Sequence, residues 1–326
     1  MSAQAEANGA GSLVIIGGAE DKLGAKSILS RFVQLAGGAT SRIAVIATAS
    51  SLGDSTTEVY KKLFKQLGAG EVRGLRPVSR EEASRPEVVG AVEDATGVFM
   101  TGGNQLRLAA VVGGTRLGQA ILTAHSHGTV VGGTSAGASA LSSHMVAFGA
   151  SGEVPKQRMG QLSAGLGLLP NVIVDQHFGR RNRVGRLLAM VAHSPSQLGL
   201  GVDEDTAAIV DEKGILEVMG RGTVLVVDGT SLESNAFEAK RTDLLMVSGA
   251  ILHVLPHGHR FDLRSRRLLP SVEGTRRPGP RDVEWPPDME LGSTLPLPIP
   301  EGADGDALGP GVRRRGHRVR RNRLDE

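Results

Sequence analysis

Between residues 12 and about 240, short apolar runs alternate with longer segments whose apolar residues recur every three or four positions. The runs Leu13–Ile16, Ile43–Ala47, Gly97–Met100, Val130–Val131 and Val172–Val174 are flanked by Gly, Thr or Asn and read as buried strands. Thr56–Leu67, Leu106–Val112 and Val184–Ala192 carry the helical spacing. Such alternation predicts an α/β fold, a mostly parallel sheet flanked by helices on both faces. Ala207–Val210, Ile215–Val218 and Thr223–Val227 lie closer together, with turn residues Asp211–Gly214 after the first. They predict extra antiparallel strands late in the domain. No repeat with a period of about 20–50 residues is present.

The pattern also divides the chain. Residues 1–11 form a polar lead-in that is expected to be disordered, and 12–270 carry the α/β domain. Residues 271–326 differ in kind: from Gly274 onward they hold 8 of the 15 prolines and few apolar clusters. Such a segment has too little apolar surface to fold by itself. Its Val312–Arg323 stretch has seven arginines and no acid, a solvated tail or a contact for polyanions.

Composition removes several classes of function. The 326 residues contain no cysteine, which excludes disulfides, thiolate catalysis and Cys-ligated zinc. Aromatics are 3 %, too few for a base-stacking surface. There is no basic segment followed by a long apolar stretch at the start, and no window approaches the ~18–20 apolar residues of a membrane span. A cytoplasmic protein with no membrane contact is expected. The net charge of +3 is small.

Candidate chemistry centres on Gly133-Thr134-Ser135-Ala136-Gly137, which matches a G-x-S-x-G nucleophile elbow. It follows a short apolar strand and opens a helix-forming segment, Ala136–Leu141. This is the context in which a serine is held exposed at a strand end, with the Ala136 N–H facing a developing oxyanion. Ser135 as a simple helix cap is the plainer alternative. A serine nucleophile needs a base, and the base an orienting acid. His177 stands just after Val172–Val174, and either Glu153 or Asp175 has suitable spacing for the acid. A second glycine turn, Thr101-Gly102-Gly103-Asn104-Gln105, follows Gly97–Met100. It offers another oxyanion N–H at Gly103, or merely a helix capped by Asn104. Gly17-Gly18-Ala19-Glu20-Asp21 lacks the spacing of a dinucleotide fingerprint. Arg180-Arg181-Asn182-Arg183-Val184-Gly185-Arg186 places guanidinium forks beside the histidine, suited to carboxylates. His253, His257 and His259 lack a companion acid pair, so no metal and no cofactor are expected.

These elements, together with Asp175-Gln176-His177-Phe178 and Gly201-Val202-Asp203-Glu204-Asp205-Thr206-Ala207, resemble the cyanophycinase family and its relatives, the aspartyl dipeptidases. The resemblance covers roughly residues 12–270. It implies a serine exopeptidase, usually dimeric, that cuts the poly-aspartate backbone of cyanophycin to β-Asp-Arg dipeptides. Carried over by position, it implies Ser135 as nucleophile, His177 as base and Glu153 as acid. Gln105, Asp175, Gln176, Arg181, Arg183, Arg186 and Thr206 then fall at substrate-contacting positions. The rival readings are a dipeptidase for Asp-X or β-aspartyl peptides, and a non-catalytic polyanion-binding protein.

Overall fold

A computed structural model describes residues 9–270 apart from Thr242. The expectations for residues 1–8 and for the 271–326 tail therefore lie outside the described residues.

The chain opens with β1 (Leu13–Ile16), α1 (Ser27–Leu35), β2 (Arg42–Ile46), α2 (Ser55–Gln66), β3 (Glu71–Leu75), α3 (Pro86–Glu93) and β4 (Gly97–Met100). Next come α4 (Gln105–Val112), α5 (Arg116–Ser126), β5 (Val130–Thr134) and the short α6 (Ala136–Ala140). Strands β1, β5, β4, β2 and β3 lie side by side in that order, all parallel. All but the edge strand β3 are buried on both faces, so alternate residues of one strand enter different cores. Leu13 and Ile15 join Leu108, Val112 and Ile121 of α4 and α5, while Val14 and Ile16 join Phe32 of α1 and Phe64 of α2. This two-sided burial is why the strands read as unbroken apolar runs.

A hairpin follows, β6 (His144–Gly149) and β7 (Gly160–Ala164), then β8 (Val172–Gln176), α7 (Val184–His193) and β9 (Leu198–Val202). The remaining strands among the described residues are β10 (Thr206–Val210), β11 (Ile215–Gly220), β12 (Thr223–Asp228), β13 (Glu233–Ser234), β14 (Val247–Ser248), β15 (Ile251–Pro256), β16 (Arg260–Asp262) and β17 (Arg267–Leu269). β10 pairs antiparallel with β1, and β11, β16 and β17 extend that side to nine strands.

One expectation is corrected here. Val172–Val174 does not belong to the main sheet, and Thr223–Val227, a late antiparallel strand as expected, pairs outside it too. They lie in a second, four-stranded sheet in the order β15-β12-β9-β8, with β8 and β9 parallel. The physical reason is that β1 is already paired on both edges, by β5 and β10, so β8 takes β9 as its neighbour instead. Among the described residues no helix is long and apolar enough to cross a membrane.

Candidate active site

The site lies at the C-terminal end of the parallel strands, where open α/β sheets place their ligands. β5 sits between β1 and β4, so the turns leaving these three strands meet: Gly17–Asp21, Thr101–Gln105 and Ser135–Gly137. Ser135 has φ 52° and ψ −109°, a conformation that a non-glycine residue adopts only when its surroundings impose it. Its N–H donates to Ile16 O at 3.0 Å, and its carbonyl accepts from Ser139 N at 3.1 Å. The elbow also needs bare backbone, since a Cβ on Gly133 would overlap the Gly137 carbonyl. A methyl group on Gly102 would stand 3.4 Å from Ser135 Cβ, which puts the second glycine turn beside the nucleophile. Gly103 follows in that turn and is exposed, and Ala136 is the first residue of α6, whose leading N–H groups have no partner within the helix. Asn104 does cap α4, its Oδ1 accepting from Arg107 N at 3.0 Å.

His177 leaves β8 with φ 50°, and its N–H donates to Gly17 O at 2.7 Å. Its Nε2 lies 2.9 Å from Ser135 Oγ, and its Nδ1 lies 2.6 Å from Glu204 Oε1. Gly18 packs so tightly on the imidazole that an added Cβ would overlap Cε1 and Nε2. Ring tilt is thereby restricted from behind. Burial holds the His177 imidazole below its ordinary pKa; the Glu204 hydrogen bond opposes this, and the positive charges of Arg181 and Arg183 add to it.

Glu153, expected as the orienting acid, is not on the histidine. It is exposed, and its Oε1 accepts from Asn182 Nδ2 at 3.2 Å. The β6–β7 connection that carries it is fastened to the start of α7 by Gly152 N to Asn182 O (2.7 Å) and Gly185 N to Gly152 O (3.0 Å). Glu204 takes the Nδ1 position because β8 and β9 run parallel with Gln176 opposite Val202, so residues just past both strand ends are neighbours. Asp175, the other spacing-compatible acid, is fully buried and faces two arginines instead. The three consecutive acids have separate partners. Asp203 accepts from Gly179 N (2.8 Å) and Thr223 N (2.9 Å), while Asp205 accepts from Asp21 N (2.9 Å) and pairs with Arg221 (3.0 Å).

The residues expected to contact substrate divide into two sets. Gln176 has its Oε1 3.5 Å from Ser135 Oγ, Gln105 donates to Val146 O (3.1 Å) and Ala147 O (2.7 Å), and Arg181 is exposed directly after the histidine loop. By contrast, Asp175 and Arg186 are enclosed, with Arg186 Nε donating to Asp175 Oδ2 at 2.8 Å and Nη2 bonding Asp175 Oδ1. Their charges satisfy each other, and neither side chain is exposed. Thr206 is likewise buried, its hydroxyl donating to Glu204 O at 3.1 Å and accepting from Gly222 N at 2.8 Å. Arg183 joins the sets. It donates to Asp175 Oδ1 (3.1 Å) and to Gln176 O, and its Nε has no acceptor among the described residues. Burial, and the neighbouring Arg186 and Arg181, outweigh the nearby Asp175 and hold its guanidinium down to about 10. Among the described residues no group of three or more His, Cys, Asp or Glu is placed to hold a metal.

The model of peptidase family S51 matches residues 13–218. A cyanophycinase from Nostoc sp. is 41 % identical over 272 residues, covering 80 % of this chain and 88 % of that protein. A cyanophycinase from Geminocystis herdmanii is 39 % identical over 263 residues, covering 80 % of this chain and 97 % of that protein. Among solved structures, a peptidase from an acI-B1 actinobacterium superposes with a TM-score of 0.55 at 26 % identity, covering 74 % of this chain and 96 % of that one. With more than half its length matched by the family model and relatives near 40 % identity, the chain belongs to peptidase family S51 and is a serine-type peptidase.

Proposed function

We propose that the protein is an exopeptidase that degrades cyanophycin, releasing β-Asp-Arg dipeptides, with Ser135, His177 and Glu204 as its catalytic residues. The observation that carries the chemistry is the continuous contact from Ser135 Oγ to His177 Nε2 (2.9 Å) and from Nδ1 to Glu204 (2.6 Å), on an elbow held in a strained conformation. The substrate follows from similarity to the two cyanophycinases.

His177 Nε2 takes the Ser135 proton as Oγ attacks the backbone carbonyl carbon of an aspartyl unit. The resulting oxyanion accepts hydrogen bonds from the N–H groups of Ala136 and Gly103. Glu204 stabilises the imidazolium, which then donates its proton to the departing amine. Water, deprotonated by the same imidazole, releases the acyl group and restores Ser135.

In each repeat of the polymer a guanidinium accompanies a free carboxylate. Arg181 and Arg183 receive the carboxylates, and Gln105 and Gln176 the amides, while Asp175 and Arg186 keep Arg183 in place. As finer parts of the same reading, the enzyme is a cytoplasmic homodimer, and the arginines of 312–323 contact polyanions in a salt-dependent way.

The test is incubation of the purified chain with insoluble cyanophycin, followed by mass analysis of the soluble fraction. β-Asp-Arg dipeptide is the expected product, and Ser135→Ala is expected to lower its release by about 10³-fold or more. Release of dipeptide only from short β-aspartyl peptides, with the polymer untouched, would favour the dipeptidase reading.

A further inference from the structure

The proposed chemistry makes no use of Glu20, a carboxylate whose side chain is only 1 % exposed. It accepts from Tyr60 Oη at 2.5 Å, from Lys22 Nζ at 2.7 Å and, on its other oxygen, from Thr134 Oγ1 at 2.6 Å. Burial, reinforced by the Glu20 charge, pushes the Tyr60 hydroxyl far above its ordinary pKa, so Tyr60 remains a donor throughout the working pH range. An enclosed charge contributes little to folding compared with a well-packed apolar side chain. A fold that keeps one here gains a fixed geometry.

That geometry concerns the nucleophile. Thr134 is the last residue of β5, itself buried, and the next residue is Ser135 with its positive φ. A strained residue holds its conformation only if both flanks are fixed. On the C-terminal flank α6 begins, with Ser139 N on Ser135 O. On the N-terminal flank the side-chain anchor is the Thr134 hydroxyl on Glu20. The Gly17–Asp21 turn that carries Glu20 also supplies Gly17 O to His177 N and packs Gly18 on the imidazole. One turn therefore touches both ends of the Ser135–His177 hydrogen bond.

We propose that Glu20 is a positioning residue for the nucleophile: through Thr134 Oγ1 it sets the backbone of Ser135, and with the rest of its turn it fixes the distance from Ser135 Oγ to His177. Tyr60 and Lys22 hold the carboxylate in place. The inference rests on the serine-nucleophile reading above and is independent of which peptide is cut.

The experiment measures the rate at which a fluorophosphonate probe labels Ser135 in the full-length protein, with kcat and KM on a small activated ester. Thr134→Val removes the hydroxyl at nearly constant size. It is expected to slow labelling and kcat by about 10- to 100-fold, the scale of a small misplacement of reacting groups, with KM changed less than about threefold. Thr134→Ser should restore most of the lost rate. Glu20→Gln should fall into the same range, and the double variant Glu20→Gln/Thr134→Val should be no slower than the slower single variant. Labelling of Thr134→Val at the parent's rate would overturn the proposal. So would a Thr134→Ser variant as slow as Thr134→Val, or losses that multiply in the double variant. If Glu20→Gln does not fold, the Thr134→Val and Thr134→Ser pair decides by itself. A parent protein that is not labelled at Ser135 would instead overturn the nucleophile assignment, a separate result.

Discussion

At the scale of single residues, the proposed proton transfer depends on the charge around His177. The imidazole acts as a base only when neutral, so kcat/KM falls as pH drops through its pKa. Burial, Arg181 and Arg183 set that pKa below the ordinary value of about 6.5. Arg181 is exposed and one turn from the histidine, and its positive charge disfavours the imidazolium. Removing it with Arg181→Ala is expected to move the acidic limb of the kcat/KM profile on a small ester toward higher pH. A limb that stays in place or moves down would show that the arginine is not felt at the ring. Ser135 and His177 were legible from the elbow motif and the strand that precedes Asp175. Glu204 was not, although it lies in a conspicuous acidic triplet. Spacing offered Glu153 or Asp175 and the resemblance implied Glu153, whereas the parallel pairing of β8 with β9 puts a glutamate that follows the histidine on its Nδ1.

At the scale of elements, the strands that the sequence made visible are those with uninterrupted apolar runs. β1, β2, β4 and β5 lie where expected because both of their faces are buried. β9, the strand leading to Glu204, is Leu198-Gly-Leu-Gly-Val202, and glycine at alternate positions weakens any strand signal. The structure gives the reason for those glycines. A Cβ on Gly201 would stand 2.6 Å from the Phe178 ring, and one on Gly199 2.8 Å from Val191 of α7. β3 escaped notice for a different reason. As an edge strand with exposed Glu71, Arg73 and Gly74, it has no apolar run to see. Helix α7 makes the most exacting demand, since it brings Arg186 against buried Asp175 on β8. Asp175→Asn would leave buried guanidinium charge without its partner. Lost stability of about 3–5 kcal/mol is expected, read as a lower denaturant midpoint. An unchanged midpoint with impaired turnover would return Asp175 to direct substrate contact.

At the scale of the whole molecule, the described residues hold the nine- and four-stranded sheets and every group assigned to the chemistry, from Gly17 to Thr206, and the larger sheet ends at β17, Leu269. A chain ended after Pro270 is therefore expected to keep kcat/KM on a small ester within about threefold of the full chain. A larger loss would tie residues 271–326 to the working of the site. The division of labour between two glutamates remains the sharpest claim, because the resemblance and the geometry disagree about them. Glu204 contacts His177 Nδ1, and Glu153 contacts Asn182. The most direct test is the rate at which Glu204→Gln and Glu153→Gln release soluble dipeptide from cyanophycin, measured side by side with the parent. The account predicts a fall of about 10²-fold or more for Glu204→Gln, with the rate of Glu153→Gln close to the parent's. A collapse of turnover in Glu153→Gln, with Glu204→Gln near the parent's rate, would contradict it.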